Sequence, residues 1–401
     1  MSKQIQEAYV VAAVRSPVGK APRGMLKNVR PDDLLAHVLK AAMAQVPGLD
    51  PALVEDVVVG CAMPEGEQGM NVARIGALLA GLPNTVGGIT INRFCSSGIN
   101  AVALAADKIR LGEADVMIAA GTESMSMVPM GGNKLSLGSS IYERDENVAI
   151  AYGMGLTAEK VATQWGISRE DQDAFALQSH TRALAAAANG AFSDEIAPLD
   201  VTYRVPNLAT GEVELVSKTL TQDEGPRADT SLEGLAKLKT VFSAKGSVTA
   251  GNSSQMSDGA AALILVSEKI LKQFNLTPVA KYVTFAVKGV PPAIMGIGPK
   301  EAIPAALKQA GLGLQDLEWI ELNEAFAAQA LAVSRDLGLD MSKVNPNGGA
   351  IALGHPLGAT GAIRAATLIH GLRRQGKAGS YGMVTMCIGT GMGAAGILQV
   401  L

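Results

Sequence analysis

The N-terminal third of the chain alternates short apolar runs with longer segments in which apolar positions recur every three or four residues. The first pattern is typical of buried strands and the second of helices. One helical segment, residues 97–110, carries no charge before Asp107, so we expect it to be buried on nearly every face. In chain order the pattern predicts a strand at 8–13, a helix at 31–46, a strand at 54–59, a helix at 71–82, a strand at 89–93, a helix at 97–110 and a strand at 116–120.

The C-terminal part of the chain repeats this order. Segments 99–121 and 362–389 share a small-residue helix, a basic helix end, an apolar strand and a glycine turn, which indicates an internal duplication. Strands separated by helices predict mainly parallel sheets that are covered by helices. The predicted elements of this part are a strand at 317–322, a helix at 324–337, a helix at 359–374 and strands at 383–386 and 397–401.

The middle of the chain is less regular. Residues 125–256 contain one clear helical pattern at 169–190 and a polar, strand-like stretch at 202–220. We interpret them as a long insertion before the last strand of the first repeat, at 260–266. Insertions of this length in compact proteins are usually functional.

Composition limits the class of protein. A chain of 401 residues predicts two or more domains, and 48% hydrophobic against 18% charged residues favours a large buried core over disorder. A net charge of −3 gives no broad basic surface for nucleic acid, although it permits a local basic pocket. No apolar run is long enough to span a bilayer, and neither a secretion signal nor a peroxisomal C-terminal signal is present, so we expect a cytoplasmic protein without membrane insertion.

Cysteine and histidine are few enough to be considered one by one. The three cysteines form no CxxC pair, so neither a disulfide framework nor a metal site is predicted. Cys95 falls between a predicted strand and the uncharged helix, where the helix N-terminus is expected to lower its pKa and favour a thiolate. Taken alone, this motif fits a small packing residue equally well. Of the four histidines, His355 alone lies in a Gly/Pro turn, where it could act as a base, whereas His180 lies in a helical pattern that needs no chemical explanation.

Two further motifs end predicted strands. Asn323 precedes Glu-Ala-Phe at a strand–helix junction and could be either a polar site residue or a helix N-cap. Cys387 begins Cys-Ile-Gly-Thr-Gly, in which exposed N–H groups such as that of Gly389 could bind an oxyanion. The nearby G-x-G-x-x-G at 391–396 is rejected as a dinucleotide site, because a strand rather than a helix is predicted after it.

In this order, Cys95-Ser-Ser-Gly, Asn323-Glu-Ala-Phe, Gly-His355-Pro and Cys387-Ile-Gly-Thr-Gly resemble the motifs of the thiolase family. Segments 155–159, 222–227, 249–254 and 295–299 match as well, so the resemblance covers essentially the whole chain. It implies an α/β fold in which two duplicated βαβαβαββ domains form five α-β-α-β-α layers, with an inserted loop domain. The expected domains are 1–124 with 257–276, the loop domain 125–256, and 277–401.

The resemblance also implies residue roles. Cys95 would be the nucleophile, His355 its base, and Cys387 the second acid/base, in a reaction that passes through a thioester. His355 and a water on Asn323 would bind one oxyanion, and the N–H groups of Cys95 and Gly389 the other. Residues expected to contact coenzyme A or to line the acyl tunnel are Arg227, Ser254, Met154, Met295 and Phe326.

One departure from the family pattern bears on the subtype. Gly153 stands where the biosynthetic acetoacetyl-CoA enzymes usually have histidine, which favours a degradative 3-ketoacyl-CoA thiolase of β-oxidation. A short-chain acetyl-CoA acetyltransferase is the alternative. Decarboxylating ketoacyl synthases need a second active-site histidine, and non-catalytic relatives should lack one of the four catalytic residues. Coenzyme A is expected as a substrate, with no cofactor or metal, and the expected partners are further copies of the chain, as a dimer or homotetramer, and a β-oxidation multienzyme complex.

Overall fold

The computed structural model describes residues 5–207 and 209–401. The helices are α1 (Pro31–Ala44), α2 (Val72–Leu79), α3 (Ser97–Arg110), α4 (Asp145–Val148), α5 (Met154–Gln164), α6 (Arg169–Ala188), α7 (Leu232–Ala236), α8 (Glu268–Phe274), α9 (Gly298–Ala310), α10 (Ala327–Leu337), α11 (Ala350–Leu353) and α12 (Thr360–Arg374). The strands are β1 (Ala8–Arg15), β2 (Gly19–Lys20), β3 (Asp56–Gly60), β4 (Ile89–Ile91), β5 (Val116–Ser124), β6 (Leu199–Pro206), β7 (Val213–Leu220), β8 (Ser257–Ser267), β9 (Ala280–Gly289), β10 (Leu317–Leu322), β11 (Tyr381–Ile388) and β12 (Met392–Val400).

The strands form two half-sheets that share one topology. Their order is β10-β11-β12-β9-β1-β8-β5-β3-β4, with β2 added to β8. In the described ranges, the strand pairing that links the two half-sheets is that of β1 with β9, through Tyr9↔Lys281 and Val10↔Ala280. In each half one parallel pair (β3–β5 or β10–β11) is followed by two antiparallel pairs, so β1, β3, β5 and β8 correspond to β9, β10, β11 and β12. The internal duplication inferred from the sequence is therefore visible in the fold.

The expectation of mainly parallel sheets is wrong. Among the strands of the described residues, the parallel pairs are β3–β4, β3–β5 and β10–β11, and in each the chain passes from one strand to the other through helical crossover connections. Strand β12 follows β11 directly after residues 389–391 and therefore returns antiparallel to it. Strand β8 enters from the insertion and pairs antiparallel with both β5 and β1.

Helices cover and separate the half-sheets in five layers. Buried residues of α3 and α12 pack together between the two half-sheets, for example Ile99 against the helix that contains Ile363. The outer faces are covered by α1 and α2 on one side and by α9 and α10 on the other. The predicted α-β-α-β-α arrangement is confirmed.

Glycine allows the two central helices to approach closely. A Cβ atom on Gly98 would lie 2.6 Å from the backbone nitrogen of Ala362, and one on Gly361 would collide with the backbone of Ile99. Only a hydrogen fits at these positions. This contact brings the N-termini of α3 and α12, and the turns before them, to the same end of the middle layer.

Residues 125–256 lie between β5 and β8. They contain α4 to α7, and the polar stretch predicted at 202–220 is the β6–β7 hairpin, a separate two-stranded sheet. No helix in the described ranges is both long and apolar enough to cross a membrane.

Candidate active site

Cys95 lies in a short 3₁₀ turn, Phe94–Ser96, that leads into α3. Phe94 has a φ of +43°, a conformation that non-glycine residues rarely adopt. Two hydrogen bonds maintain it: the Asn92 side chain accepts from the Phe94 N–H at 2.8 Å, and the Ser97 hydroxyl donates to the Phe94 carbonyl at 2.7 Å. The partly buried Cys95 thiol is thereby held at the N-terminal end of a buried helix.

The expected low pKa of Cys95 is wrong. Burial raises the pKa of the thiol to about 11, and the charge of Glu123 acts in the same direction. The backbone N–H groups of Gly389 and of Cys95 itself oppose this increase, but burial outweighs them. Cys95 is therefore a neutral thiol at neutral pH and needs a base to become a nucleophile.

His355 supplies a neutral imidazole with a defined tautomer. Its Nδ1 lies 2.7 Å from the hydroxyl of Thr360, and that hydroxyl donates to the carbonyl of Pro356 at 3.1 Å. Because the hydroxyl proton is used there, Nδ1–H is the donor to Thr360, and Nε2 carries the lone pair. Burial, together with the charge of Arg364, lowers the pKa of His355 to about 3, so the ring is uncharged at neutral pH.

The loop before His355 is fixed by residues at the junction of the insertion and β8. The His355 N–H donates to the Ser257 hydroxyl at 3.1 Å and to the Gln255 carbonyl at 3.2 Å. The Gln255 side-chain amide in turn donates to the carbonyl groups of Ile351 (3.0 Å) and Gly225 (3.1 Å). These bonds orient the imidazole from its backbone side.

Asn323 faces this unprotonated ring nitrogen. Its Nδ2 donates to His355 Nε2 at 3.4 Å, and its backbone N–H donates to the Thr385 carbonyl of β11 at 2.9 Å. Its Oδ1 is buried, and no donor among the described residues reaches it. The helix-cap alternative is wrong: α10 begins at Ala327 instead of the predicted 324, its N-cap is Phe326, and Gln329 accepts from the Phe326 N–H. Asn323 is therefore a buried amide with an unpartnered acceptor beside the base.

Cys387 places a second thiol at the end of β11. It is buried and packs in one cluster with Met295 and Phe326, with Met154 against it. Burial raises the pKa of this thiol as well, and the charge that Cys95 would carry raises it further, so the two thiols lie within electrostatic range of each other. The next residues form the tight β11–β12 turn, and the 391–396 segment continues into β12, which confirms that it is not a dinucleotide motif.

A cavity of about 930 Å³ opens beside this group. His355, Met154, Phe326, Ser254 and Arg227 lie in its wall, together with Gly153 and residues 229–231. Met295, which was expected to line the acyl tunnel, is instead buried behind the wall in the Cys387 cluster. The two thiols, Asn323 and Gly389 are likewise absent from the wall-forming residues.

Two family models match the chain: "Thiolase, N-terminal domain" over residues 8–269 and "Thiolase, C-terminal domain" over residues 276–400. The chain belongs to the thiolase family. It is 50% identical over 397 residues to a 3-ketoacyl-CoA thiolase of Bacillus subtilis, covering 99% of this chain and 100% of that one. The acyltransferase class predicted from the motifs is confirmed.

Solved structures of other thiolases superpose over the full chain. The Bacillus anthracis acetyl-CoA acetyltransferase has a TM-score of 0.89 at 41% identity and covers 100% of both chains. The dimeric peroxisomal thiolase of Saccharomyces cerevisiae also has a TM-score of 0.89, at 40% identity, covering 100% of this chain and 99% of that one.

Sequence reasoning missed several residues that shape this thiolase site. His180, dismissed as a helical residue, lies in the cavity wall, and its Nδ1 accepts from the Arg227 N–H at 3.1 Å. Thr360 fixes the His355 tautomer. Glu123 joins the two halves, since its Oε2 accepts from Ala62 N–H at 2.7 Å and from Gly358 N–H at 2.8 Å. None of these contacts follows a local periodicity, so no sequence signal could have found them.

Proposed function

We propose that this thiolase cleaves 3-ketoacyl-CoA with free coenzyme A, releasing acetyl-CoA and an acyl-CoA shortened by two carbons. The observation that carries the proposal is the neutral His355, whose Nε2 lone pair has only a long contact, 3.4 Å, with the Asn323 amide, in a site that also holds Cys95 and a second thiol. A neutral thiol paired with a neutral base is suited to attack on a carbonyl carbon by the sulfur while the proton moves to nitrogen, and the mechanism requires His355 Nε2 to reach the Cys95 thiol.

The first half-reaction forms the acyl-enzyme. His355 Nε2 accepts the proton of Cys95 as the sulfur attacks the 3-keto carbon. The bond between C2 and C3 then breaks, and its electron pair passes to C2 of the departing acetyl-CoA as an enolate. The Cys387 thiol donates the proton that C2 requires, leaving the acyl group as a thioester on Cys95 and Cys387 as a thiolate.

The second half-reaction restores the enzyme. The Cys387 thiolate takes the proton of an incoming coenzyme A, whose sulfur attacks the thioester carbon. Cys95 leaves as a thiolate and regains its proton from the protonated His355. Both thiols end in their starting state, so the cycle needs no oxidant, metal or further cofactor.

Each half-reaction develops negative charge on an oxygen. The N–H groups of Gly389 and Cys95, which approach the Cys95 sulfur, are positioned to donate to the oxyanion of the carbon that this sulfur attacks. Protonated His355 donates from Nε2 to the enolate oxygen of acetyl-CoA. The unpartnered Oδ1 of Asn323 accepts a hydrogen bond from a water, and that water donates its other proton to the same oxygen.

We assign coenzyme A to the 930 Å³ cavity. Ser254 lies in its wall, where it can contact the pantetheine arm. The Arg227 side chain is 58% exposed and forms an ion pair with Asp229 in the same wall, and Lys20 leaves this part of the wall with a net positive charge for the phosphates. Met154 and Phe326 give an apolar lining to the acyl end.

We also propose a homo-oligomer. Strand β4 is the edge of the N-terminal half-sheet, and exposed apolar side chains surround it: Ile89 is 47% exposed, Leu79 45% and Met70 92%. An exposed edge strand with apolar neighbours favours pairing with another copy, and the related yeast thiolase is described as dimeric. Sedimentation equilibrium distinguishes a dimer from the homotetramer.

We further propose a β-oxidation multienzyme partner and a cytoplasmic location. Co-purification tests the first, and fractionation of cells that produce the protein tests the second.

The second candidate is a short-chain acetyl-CoA acetyltransferase that works in the condensing direction, the activity named for the similar Bacillus anthracis structure. Gly153 favours the degradative reading, because a side chain at this position would project into space that is open in the cavity wall.

The test combines turnover with detection of the intermediate. Wild-type protein should consume both acetoacetyl-CoA and longer 3-ketoacyl-CoAs when coenzyme A is added, and mass spectrometry should find the acyl group on Cys95. Cys95→Ser should abolish both signals, whereas the matched control Cys61→Ser, at a buried cysteine outside the site, should retain them. Acylation of Cys387 or Cys61 instead, or full turnover in Cys95→Ser, would refute the mechanism.

A further inference from the structure

A pair of buried charges lies directly behind the catalytic base. Glu321 precedes Asn323 by two residues along the β10 segment, so the two side chains point to the same face. Arg364 follows Thr360 by four residues on α12, so they too share a face. Asn323 and Thr360 contact the two ring nitrogens of His355. Glu321 and Arg364 therefore form the next layer beneath this triad.

The pair is fully buried but incompletely bonded. Glu321 is 1% exposed and Arg364 3%. Glu321 Oε1 accepts from the Trp319 indole N–H at 2.6 Å, while its Oε2 has no hydrogen-bond donor among the described residues and lies 3.7 Å from Arg364 Nη1. A buried ion pair is weak evidence for a role in stability, because replacing such a pair with well-packed apolar residues of similar volume often leaves a protein equally stable.

Two further carboxyl groups face Glu321. Glu195, from the loop after α6, is held by Arg15 and by the Thr367 hydroxyl, and Glu324 is held by Ser179 and Asn345. Both raise the pKa of Glu321 electrostatically. Arg364 is thus the nearby cation whose positive charge ionised Glu321 can offset.

The charges of the pair act on the imidazole. Burial raises the pKa of Glu321 to about 7, although Arg364 and the Trp319 N–H act in the opposite direction. Arg364 lowers the pKa of His355. Above about pH 7 Glu321 is ionised and offsets Arg364, which favours a protonated His355. Below that pH Glu321 is neutral, and the Arg364 charge alone opposes the protonation of His355.

We propose that Glu321 and Arg364 are positioning residues for the reaction, in which ionised Glu321 compensates the positive charge that forms when His355 takes the proton of Cys95. This inference rests on the proposed function, since it requires His355 to be the base. Neither residue lines the cavity, so the pair acts on the proton transfer and not on substrate binding.

The experiment measures acylation of Cys95 by acetyl-CoA, by rapid quench and mass spectrometry, between about pH 5.5 and about pH 8.5. The wild-type acylation rate should rise on the order of tenfold as the pH passes an inflection near 7, where Glu321 ionises. A tenfold change is what a one-unit increase in the pKa of His355 produces in the equilibrium for its protonation. Glu321→Gln should remain near the low-pH rate at every pH, without the inflection and with an unchanged KM. An inflection in Glu321→Gln at the wild-type position would overturn the proposal.

Two milder changes keep the test informative if Glu321→Gln fails to fold. Trp319→Phe removes the N–H that stabilises the ionised carboxylate, so the inflection should move to higher pH. Arg364→Lys keeps the positive charge and should retain the inflection near its wild-type position, whereas Arg364→Met removes a charge that lowers the pKa of Glu321 and should move the inflection to higher pH. An unmoved inflection in Trp319→Phe, or identical profiles for the two Arg364 variants, contradicts the proposal. If the wild-type protein is not acylated at all, the proposed function itself fails.

Discussion

Replacing Gly153 with histidine should reverse the dependence of this thiolase on acyl-chain length. Gly153 lies in the cavity wall immediately before Met154, where it caps α5. Its backbone is extended, with φ −62° and ψ 142°, a conformation that histidine adopts without strain. A Cβ atom at this position would meet no heavy atom within 4 Å, so the new imidazole would project into open space. The substitution therefore changes the volume and polarity of the cavity rather than the fold.

The size of the effect follows from apolar burial. Each methylene removed from water contributes about 0.8 kcal/mol, so the four methylenes that separate a four-carbon from an eight-carbon substrate contribute about 3 kcal/mol. If the transition state realises all of this binding, kcat/KM should rise by roughly 200-fold between the two substrates. That value is an upper limit, because part of the chain stays in contact with water. In Gly153→His the imidazole occupies this space, and kcat/KM should fall as the chain lengthens.

The assay measures kcat/KM for 3-ketoacyl-CoAs of four, six and eight carbons at one pH and one concentration of coenzyme A. Gly153→Ala is the matched control, because its methyl group contacts nothing and should leave the wild-type trend intact. A wild-type protein that is fastest on acetoacetyl-CoA and nearly inactive at eight carbons would refute the reasoning from Gly153. It would favour the short-chain alternative and leave the thiolase family assignment unchanged.

Four further outcomes are expected. Cys387→Ala should retain acyl transfer from a simple acyl-CoA to Cys95, measured by mass spectrometry, while thiolysis falls by about 10² to 10⁴; near-normal thiolysis would make Cys387 a packing residue. Thr360→Val should lower kcat by roughly tenfold or more, because Nδ1 of His355 loses its partner, whereas Thr360→Ser should retain activity. Gly361→Ala should destabilise the protein by about 1–3 kcal/mol in urea unfolding, while Gly48→Ala, which contacts nothing, should be neutral. The rate at which iodoacetamide alkylates Cys95 should keep rising from neutral pH towards about pH 11, and at each pH Cys95 should be alkylated faster than buried Cys61. A rate that reaches a plateau near pH 7 would contradict the raised pKa of Cys95.

The parts of the fold that the sequence predicts well are those with a strong local pattern. The uncharged small-residue run gives α3 with its observed bounds, and the apolar run at 317–322 gives β10. Strand β12 was largely missed, because only 397–401 was assigned to a strand and the preceding 391–396 segment is rich in glycine. Glycine disfavours an isolated strand, but β12 pairs with β11 on one side and β9 on the other, and these partners are invisible to a local pattern.

The candidate site divides in the same way. The motifs locate Cys95, His355, Asn323 and Cys387, since each lies in a distinctive turn or strand end. The residues that orient them come from remote parts of the chain. Gln255 supports the His355 loop through carbonyl groups about a hundred positions away, and Glu123 reaches Gly358 over more than two hundred. Such contacts depend on how the two half-sheets and the insertion pack, which no short motif encodes.

The error about Cys95 has a consequence for the chemistry. The rule that a helix N-terminus lowers a thiol pKa considers one favourable interaction, whereas the folded site adds burial, which raises the pKa of Cys95 to about 11 and lowers that of His355 to about 3. Both shifts disfavour a thiolate–imidazolium pair at rest, so the proton stays on sulfur until a substrate carbonyl is present. Proton transfer must then accompany attack, while the negative charge passes from sulfur to the carbonyl oxygen near the N–H groups of Gly389 and Cys95. No carboxylate among the described residues contacts His355 to balance the positive charge left on it, and for that reason the ionisation of Glu321 beneath it matters to the rate.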